Sequence, residues 1–414
     1  MNSLGFNKKN KDTKVIVAMS GGVDSSVAAA MLKNEGYDIT GITLKLYNQS
    51  NVKKTKSCCA GQDIEDAKQV ADQFNFPHFT YDYQDRFFSG VIDEFVETYS
   101  KGETPVPCIS CNQTVKFTDL LQEAKNYKAD ALVTGHYVRR IGGAKDSKMF
   151  KAKDINKDQS YFLFATLQDQ LDYLRFPLGN YLKSEVRDIA KKLNLTVKDK
   201  PDSQEICFIP TGDYKQFVSE RVSAVPGEIV DSQGELIGQH SGIEFFTVGQ
   251  RKGLGIQSQT PTYVLGIDPD SHRVTVGSWD ELHNQSLWAS GAKYIDGNAF
   301  TEAIQVMAKI RYKAPMAPAL LVSHGTWVEI QFEEPYSILN EDEYYFAHRP
   351  PYVLEFNYNK ISDALSVILN GGKFIACNED SYFPIGKNSY MPACGAMVSA
   401  IASSANRIDV QQVS

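Results

Sequence analysis

No run in this chain approaches the roughly 18 to 20 apolar residues that a bilayer-spanning helix needs. The opening MNSLGFNKKNKDTK carries charge without an apolar stretch, so neither a membrane span nor a secretion signal is expected. Cysteine is scarce: Cys58, Cys59, Cys108, Cys111, Cys207, Cys377 and Cys394 are the 7 in 414 residues. They are too few and too uneven for a disulfide-stapled secreted scaffold, which points to reduced thiols and a cytoplasmic protein. Positive charge is not in excess. The 43 Lys and Arg against 50 Asp and Glu leave a net charge of −7, so any nucleic-acid site has to be a local basic face. Internal repeats are absent as well. What is present, 42% hydrophobic and 22% charged residues, is the balance of a globular chain, and the length suggests two or three domains.

Residues 14 to 207 alternate between strand and helix patterns. KVIVAM (Lys14 to Met19) reads as a strand, Asp24 to Glu35 as an Ala-rich helix stopped by Gly36, and DITGITLKLY as a second strand. Helices are expected over Asp63 to Phe74, about Gln84 to Tyr99, Asn112 to Tyr127 and Ser184 to Leu193, with ADALVTGHYV as a further strand. A doubly wound parallel sheet with helices on both faces follows. After about Pro210 the texture becomes short β runs with turns, including YVLGIDPDSHRVTVG, where PDSH reads as a hairpin loop. IQVMAKIRY and WVEIQFEEP are also β-patterned. Expected boundaries are 1–210, 211–284, 285–359 and a tail over 360–414; from about Ser337 onward the pattern assigns no structure.

The strongest local signal is Ser20-Gly21-Gly22-Val23-Asp24-Ser25, set between strand and helix. Two glycines permit a tight turn, two hydroxyls add donors, and a helix N-terminus supplies a positive dipole, a combination suited to phosphate. No Lys follows in the GxxxxGK[ST] position, so this is not a Walker loop. An ordinary glycine-rich turn with Asp24 near the helix start is the alternative. Cys108 and Cys111 form a CxxC in PVPCISCN, read as a proline-restricted loop just before a helix, where the dipole lowers thiol pKa values and makes Cys111 a candidate nucleophile. Cys207 lies in KPDSQEICFIP. A zinc half-site would need a second cysteine pair, which is missing, and buried inert thiols are the plain alternative.

SGGVDS resembles the PP-loop of the ATP pyrophosphatase superfamily, whose members split ATP between the α and β phosphates. Taken with SCCAGQDIEDA (57 to 67), PVPCISCNQTVKF (105 to 117), VTGHY (133 to 137), KDQSYFL (157 to 163), FPLG (176 to 179), KPDSQEICFIP (200 to 210) and FTVGQRKGLGI (246 to 256), the chain resembles the tRNA-specific 2-thiouridylase family, MnmA/TrmU, in order and spacing from about 14 to about 335. The resemblance implies a PP-loop domain of the adenine nucleotide alpha hydrolase-like kind, a small central domain and a β-barrel-like C-terminal domain. It implies ATP at Ala18, Met19, Ser20, Gly21, Gly22, Val23, Asp24, Ser25, Leu44 and Gly135, with Mg²⁺ on Asp24. Cys111 and Cys207 would be the catalytic thiol and the persulfide carrier. Contacts to tRNA would come from Val106, Pro107, Cys108, His136, Lys157, Asp158, Gln159, Arg311 and Tyr312, with Arg251 and Lys252 as weaker candidates. Partners would be Lys, Glu and Gln tRNAs and a cysteine desulfurase or sulfur-relay protein.

Two departures stand out. Many relatives carry Asp where this chain has Cys108, so that acid/base role does not transfer; Cys108, Cys111 and Cys207 could instead ligate a [4Fe–4S] cluster. The family's PGQ loop and triple-glycine strand are not recognisable beyond Pro335. The rival readings are another PP-loop adenylating enzyme, which needs no thiol pair, and a non-catalytic nucleotide-binding redox sensor.

Overall fold

The computed structural model describes residues 1–47, 60–143, 145–202, 206–209, 212–294, 299–308, 311, 317–325 and 327–337, together with strand segments at 353–354, 373–377, 383–384, 390–391 and 397–402. Cys58, Cys59, Cys394 and Tyr312 lie outside them. The chain divides into two compact units, Met1–Ile92 with Pro107–Asp213, and Asp93–Val106 with Tyr214–Ser414.

The first unit is built on a five-stranded sheet in the order β3-β2-β1-β4-β7. These are β1 (Lys14–Ala18), β2 (Asp38–Lys45), β3 (His78–Asp82), β4 (Ala131–Val133) and β7 (Leu174–Arg175), all paired in parallel. The central strands β1 and β4 alternate their side chains between two cores, as the pleat requires. Val15 and Val17 of β1 and Ala131 and Val133 of β4 join the cluster containing Val27, Ala30, Leu32, Val70 and Val186. Ile16 and Leu132 point the other way, into a cluster with Phe117, Leu120, Leu121, Leu163 and Leu171. Helix α1 (Val23–Asn34), helix α2 (Ala60–Gln73) and the Lys183–Lys192 helix thus cover one face, and the helix beginning at Pro107 covers the other. Strand order reverses between β1 and β4, the point where open α/β sheets leave a crevice at the carboxyl ends of their strands.

The β1–α1 turn sits at that point, and a side chain is excluded at two glycines, one in the turn and one packed against it. Gly21 has φ +71°, and a Cβ there would lie 2.1 Å from the Asp63 carbonyl oxygen on α2. Gly135, just after β4, would place a Cβ 2.7 Å from the Ser25 amide nitrogen. Gly22, the N-cap of α1, has φ −88° and meets nothing closer than Ser20 Oγ at 3.5 Å.

Several expected elements differ in their limits. ADALVTGHYV is not one strand: β4 stops at Val133, and β5 (Val138–Ile141) turns into an antiparallel pair with β6 (Lys148–Lys151). The expected 84–99 helix is α over Gln84–Phe87, π over Phe88–Ile92 and α over Asp93–Ser100. The helix expected from Asn112 starts earlier, α over Pro107–Ser110, π over Cys111–Leu120 and α again over Leu121–Asn126. Pro107 is well suited to a first helical position, because its missing N–H would have no partner there.

In the second unit β8 (Gly227–Val230), β9 (Leu236–His240), β10 (Tyr263–Asp268) and β11 (Arg273–Gly277) form a sheet in the order β10-β11-β8-β9. The expected PDSH hairpin joins β10 and β11, Asp268 opposite Arg273. A second sheet, β12-β16-β15-β14, comprises His283–Ser290, Trp327–Ser337, Ala317–His324 and Ile304–Ala308. The short strand β13 (Ala292–Tyr294) pairs antiparallel with Lys373–Cys377, which pairs in turn with Met397–Ala402, so described parts of the tail carry strand structure. None of the described helices is long and apolar enough to cross a membrane.

The glycine geometry has a measurable consequence. Gly21→Ala and Gly135→Ala should each lower stability to denaturant by roughly 1–3 kcal/mol, against under about 1 kcal/mol for Gly22→Ala. Urea unfolding followed by circular dichroism checks the order.

Candidate functional site

The residues expected to hold ATP form one continuous bend. Ala18 ends β1, Met19 continues it by donating its N–H to Ile42 O at 2.8 Å, and Gly21 and Gly22 turn the chain into α1, whose first residue Val23 is buried. Ser25 Oγ accepts from the Ser20 amide at 3.1 Å and lies 3.2 Å from Ser20 Oγ, closing the bend on itself. Leu44 lies on β2 opposite Tyr81, packed against the second core, and Gly135 rests on the backbone of Asp24 and Ser25.

Asp24 faces cations and a hydroxyl. Lys183 Nζ donates to Asp24 Oδ1 and Oδ2 at 2.7 and 2.8 Å, and Tyr137 Oη donates to Oδ1 at 2.7 Å. Burial and the neighbouring Asp24 charge push the Tyr137 hydroxyl far above its ordinary value, so it stays protonated and donates. Lys183 also reaches Asp202 Oδ1 at 2.9 Å, where Arg187 approaches the same oxygen at 2.6 Å and Lys157 the other at 2.8 Å. Burial disfavours the Asp202 carboxylate, but hydrogen bonds from Lys157, Lys183 and Arg187 outweigh it and hold Asp202 well below the usual range. A second cluster lies beside the first. Lys200 Nζ donates to Gly21 O at 2.9 Å, Asp63 Oδ1 at 2.6 Å and Asp66 Oδ2 at 2.5 Å.

Motifs that read separately along the chain therefore meet. SGGVDS, GQDIEDA, VTGHY, KDQ and KPDSQ each contribute a charged or hydrogen-bonding group to these two clusters. Asp63, Asp66, Tyr137, Lys200 and Asp202 lie inside the quoted motifs without assigned roles, Arg187 lies in the expected Ser184 to Leu193 helix, and Lys183 lies just before it. Their only signal was charge, and a sequence does not name the partner of a charge. Asp24 is one of four carboxylates in these clusters, and a carboxylate oxygen there is the hard donor that Mg²⁺ takes beside phosphate oxygens.

Cys108 and Cys111 are not in a loop before a helix; they occupy its first five residues, three apart and hence on one face. The expected pKa lowering is also overturned. Cys111 is 7% exposed, and burial pushes its thiol above the ordinary value, with Lys116 acting in the opposite sense. Cys108 is solvent-accessible yet surrounded by enough protein that burial raises it too, again opposed by Lys116. At both thiols desolvation outweighs the Lys116 charge. Cys207 is exposed, and its neighbour Phe208 packs edge-on to Phe87 with ring centres 5.7 Å apart. Phe87 belongs to a segment that packs against the helix carrying the other two thiols. Among the described residues no three His, Cys, Asp or Glu side chains gather as a metal-binding group, so Cys108, Cys111 and Cys207 do not assemble the ligand set of a [4Fe–4S] cluster.

The expected RNA-facing residues divide by environment. Val106 and Pro107 are buried. Lys157 is held by Asp202. Asp158 is buried and accepts from the Ala152 amide at 2.8 Å and Ser160 Oγ at 2.5 Å; burial pushes its carboxyl up to about 6. Gln159 Oε1 accepts from the Tyr137 amide at 2.9 Å, fixing the residue that reaches Asp24. His136 Nδ1 lies 2.8 Å from Thr134 Oγ1, and burial followed by the Lys116 charge lowers its pKa to about 3, so it is neutral at physiological pH. In the second unit Arg311 Nη2 donates to Val248 O at 3.2 Å, tying it to the FTVGQRKGLGI loop, where Lys252 is exposed and Arg251 half-buried.

His136 sets a pH dependence. Its folded pKa lies below the ordinary 6.5, so the stability it contributes is complete above 6.5 and is lost as pH falls from there toward about 3. Between pH 7.5 and 5.0 the wild type should lose about 1–2 kcal/mol more than His136→Gln, a range that allows for partial exposure. Urea midpoints at the two pH values measure it.

Comparison with known proteins identifies the family. Residues 13–211 match the tRNA methyl transferase HUP domain and 215–278 the tRNA methyl transferase PRC-barrel domain. The tRNA-specific 2-thiouridylase MnmA of Rhodospirillum centenum is 50% identical over 330 residues, 77% of this chain and 84% of that protein. MnmA of Brucella canis is 47% identical over 339 residues, 80% and 85% of the two chains. The family models carry the word methyl, whereas these full-length relatives are named for thiolation. With half its residues identical over most of its length, and with a PP-loop and cysteines disposed as above, this chain belongs to the tRNA-specific 2-thiouridylase family.

Proposed function

We propose that the protein replaces the C2 oxygen of a tRNA wobble uridine with sulfur, using ATP to activate the oxygen and Cys207 to carry the sulfur. The observation that carries this reading is the anchoring of the segment leading to Cys207. Lys200 holds it to the Gly21 carbonyl of the PP-loop, and Asp202 holds it to Lys183, which also binds Asp24. A sulfur carrier tethered to the nucleotide loop is what a reaction needs when activation and sulfur delivery occur at one carbon.

A uracil carbonyl oxygen is a poor leaving group. Attack of O2 on the α-phosphorus of ATP expels pyrophosphate and turns O2 into part of a good one. Gly21 and Gly22 expose backbone N–H groups, and Lys183 and Lys200 supply positive charge beside them, substituting for the absent Walker lysine. Mg²⁺ held between Asp24 and the phosphates would neutralise charge on the departing pyrophosphate. The terminal sulfur of a Cys207 persulfide then adds to C2 and AMP leaves. Attack of the Cys111 thiolate on Cys207 Sγ breaks the S–S bond to the base, frees the thiocarbonyl and forms a Cys111–Cys207 disulfide; alternatively Cys111 attacks the persulfide first and releases hydrosulfide as the nucleophile. Either way an external dithiol must reduce the disulfide before another turnover.

For tRNA binding we assign Val106, Pro107 and Cys108 to the region of the target base, and His136, Lys157, Asp158, Gln159, Arg311 and Tyr312 to supporting contacts. A neutral His136 suits a hydrogen bond to a base better than a phosphate ion pair. Wobble uridines of Lys, Glu and Gln tRNAs and a cysteine desulfurase or sulfur-relay donor complete the proposal.

Three variants test it together. Asp24→Asn should reduce tRNA-dependent pyrophosphate release by at least about 100-fold, the scale expected when transition-state charge stabilisation is removed. Cys111→Ser and Cys207→Ser should release pyrophosphate yet form no 2-thiouridine, as read by nucleoside mass spectrometry. Thiolation by Cys207→Ser would overturn the carrier assignment.

A further inference from the structure

Lys116 has no part in the reaction as described so far, yet it is the charge that acts on both cysteines of the CxxC. Its position depends on helix type. Cys111 and Lys116 are five residues apart, which in an α-helix of 3.6 residues per turn would turn the two side chains about 140° from each other. The helix is π from Cys111 to Leu120, and its wider turn of about 4.4 residues cuts that separation to about 50°, so the two side chains share one side of the helix. The ammonium is also held. Lys116 Nζ donates to Asn112 Oδ1 at 3.0 Å, and the buried Asn112 donates Nδ2 to the Phe162 carbonyl at 3.0 Å, so the amide has a fixed orientation with its oxygen toward the lysine. Asn112 is the residue after Cys111, so the amide that holds the ammonium belongs to the same turn of helix as the thiol.

We propose that Lys116 is a positioning residue of the two-thiol site, whose ammonium, brought to the Cys111 side of the helix by the π-helical stretch and fixed by Asn112, stabilises the negative charge of the Cys111 thiolate and that of Cys108. The surroundings supply little else. Burial raises both thiols, Lys116 opposes it at each, and the two cysteines disfavour simultaneous ionisation. His136, which also faces Lys116, is held neutral and adds no positive charge. On the packed 84–87 segment Arg86 is closed with Asp119 at 2.8 Å and Asp85 is exposed, while 88–92 and 160–163 bear no charged side chain. A thiol with a raised pKa needs a local cation at the moment it attacks sulfur, and this explains why the lysine is fixed. The inference rests on the proposed function only for the purpose of that thiolate; the electrostatic effect is independent of it.

The test uses the full chain without ATP or tRNA. Iodoacetamide alkylation at Cys108 and Cys111 is followed between pH 6 and 10 by peptide mass spectrometry in the wild type, Lys116→Met, Lys116→Gln and Lys116→Arg, with circular dichroism confirming the fold of each. Met and Gln should move the midpoint of alkylation upward by about one pH unit, roughly a tenfold loss of rate near pH 7, and Arg should leave it within a few tenths of a unit. If Met does not fold, Gln, which keeps a donor for Asn112, is read instead. Unchanged profiles in the uncharged variants would overturn the proposal. An Arg profile shifted as far as that of Met or Gln would overturn it equally, since it would make packing the cause. A profile that moves as expected in a protein unable to thiolate tRNA would refute the function and leave the role of Lys116 standing.

Discussion

A lysine ammonium held between two carboxylates organises the first unit of this protein. Lys183 is 13% exposed and bridges Asp24 on the first turn of α1 to Asp202 on the segment leading to Cys207. A charge so far from water is tolerated only with counter-charges and hydrogen bonds in place, so the positions of its partners are constrained together. Tyr137 fixes Asp24 from the side of β4, and Gln159 fixes the Tyr137 backbone. Lys157 and Arg187 share Asp202. Elements more than a hundred residues apart in sequence thereby acquire one geometry at the carboxyl end of the sheet.

The same arrangement reconciles an acidic protein with an anionic substrate. A net charge of −7 describes the whole chain, whereas at this turn Lys157, Lys183, Arg187 and Lys200 balance Asp24, Asp63, Asp66 and Asp202, so the excess negative charge lies elsewhere. The carboxylate partners keep those cationic groups in place without phosphate. Burial has the opposite consequence for the thiols, since it disfavours the thiolate form of Cys111.

Strands β1 and β2 and most helices of the first unit were legible because their hydrophobic periods are local properties: KVIVAM sends alternate residues to two cores, and the Ala-rich run after the glycine pair packs on one face as a helix. The hairpin at PDSH was legible for the same reason. The start of the CxxC helix was not, because a proline next to two cysteines reads equally as a loop or as a first turn, and only packing against the second core decides. Nor could a sequence separate the two glycines of the loop. Their difference lies in the Asp63 backbone, brought to Gly21 from a distant helix.

The order of the motifs determined the family and picked out the PP-loop and the cysteines proposed to react, since each is a short string whose chemistry resides in its own residues. The tertiary structure alone decided what those residues experience. It turned Asp24, Lys157 and Asp202 into one ion network, made Asp158 a buried turn residue and His136 a neutral one, and raised the thiols that a helix end was expected to lower. Desolvation and Coulomb interaction depend on distances between side chains remote in sequence, and those distances exist only once the chain has folded.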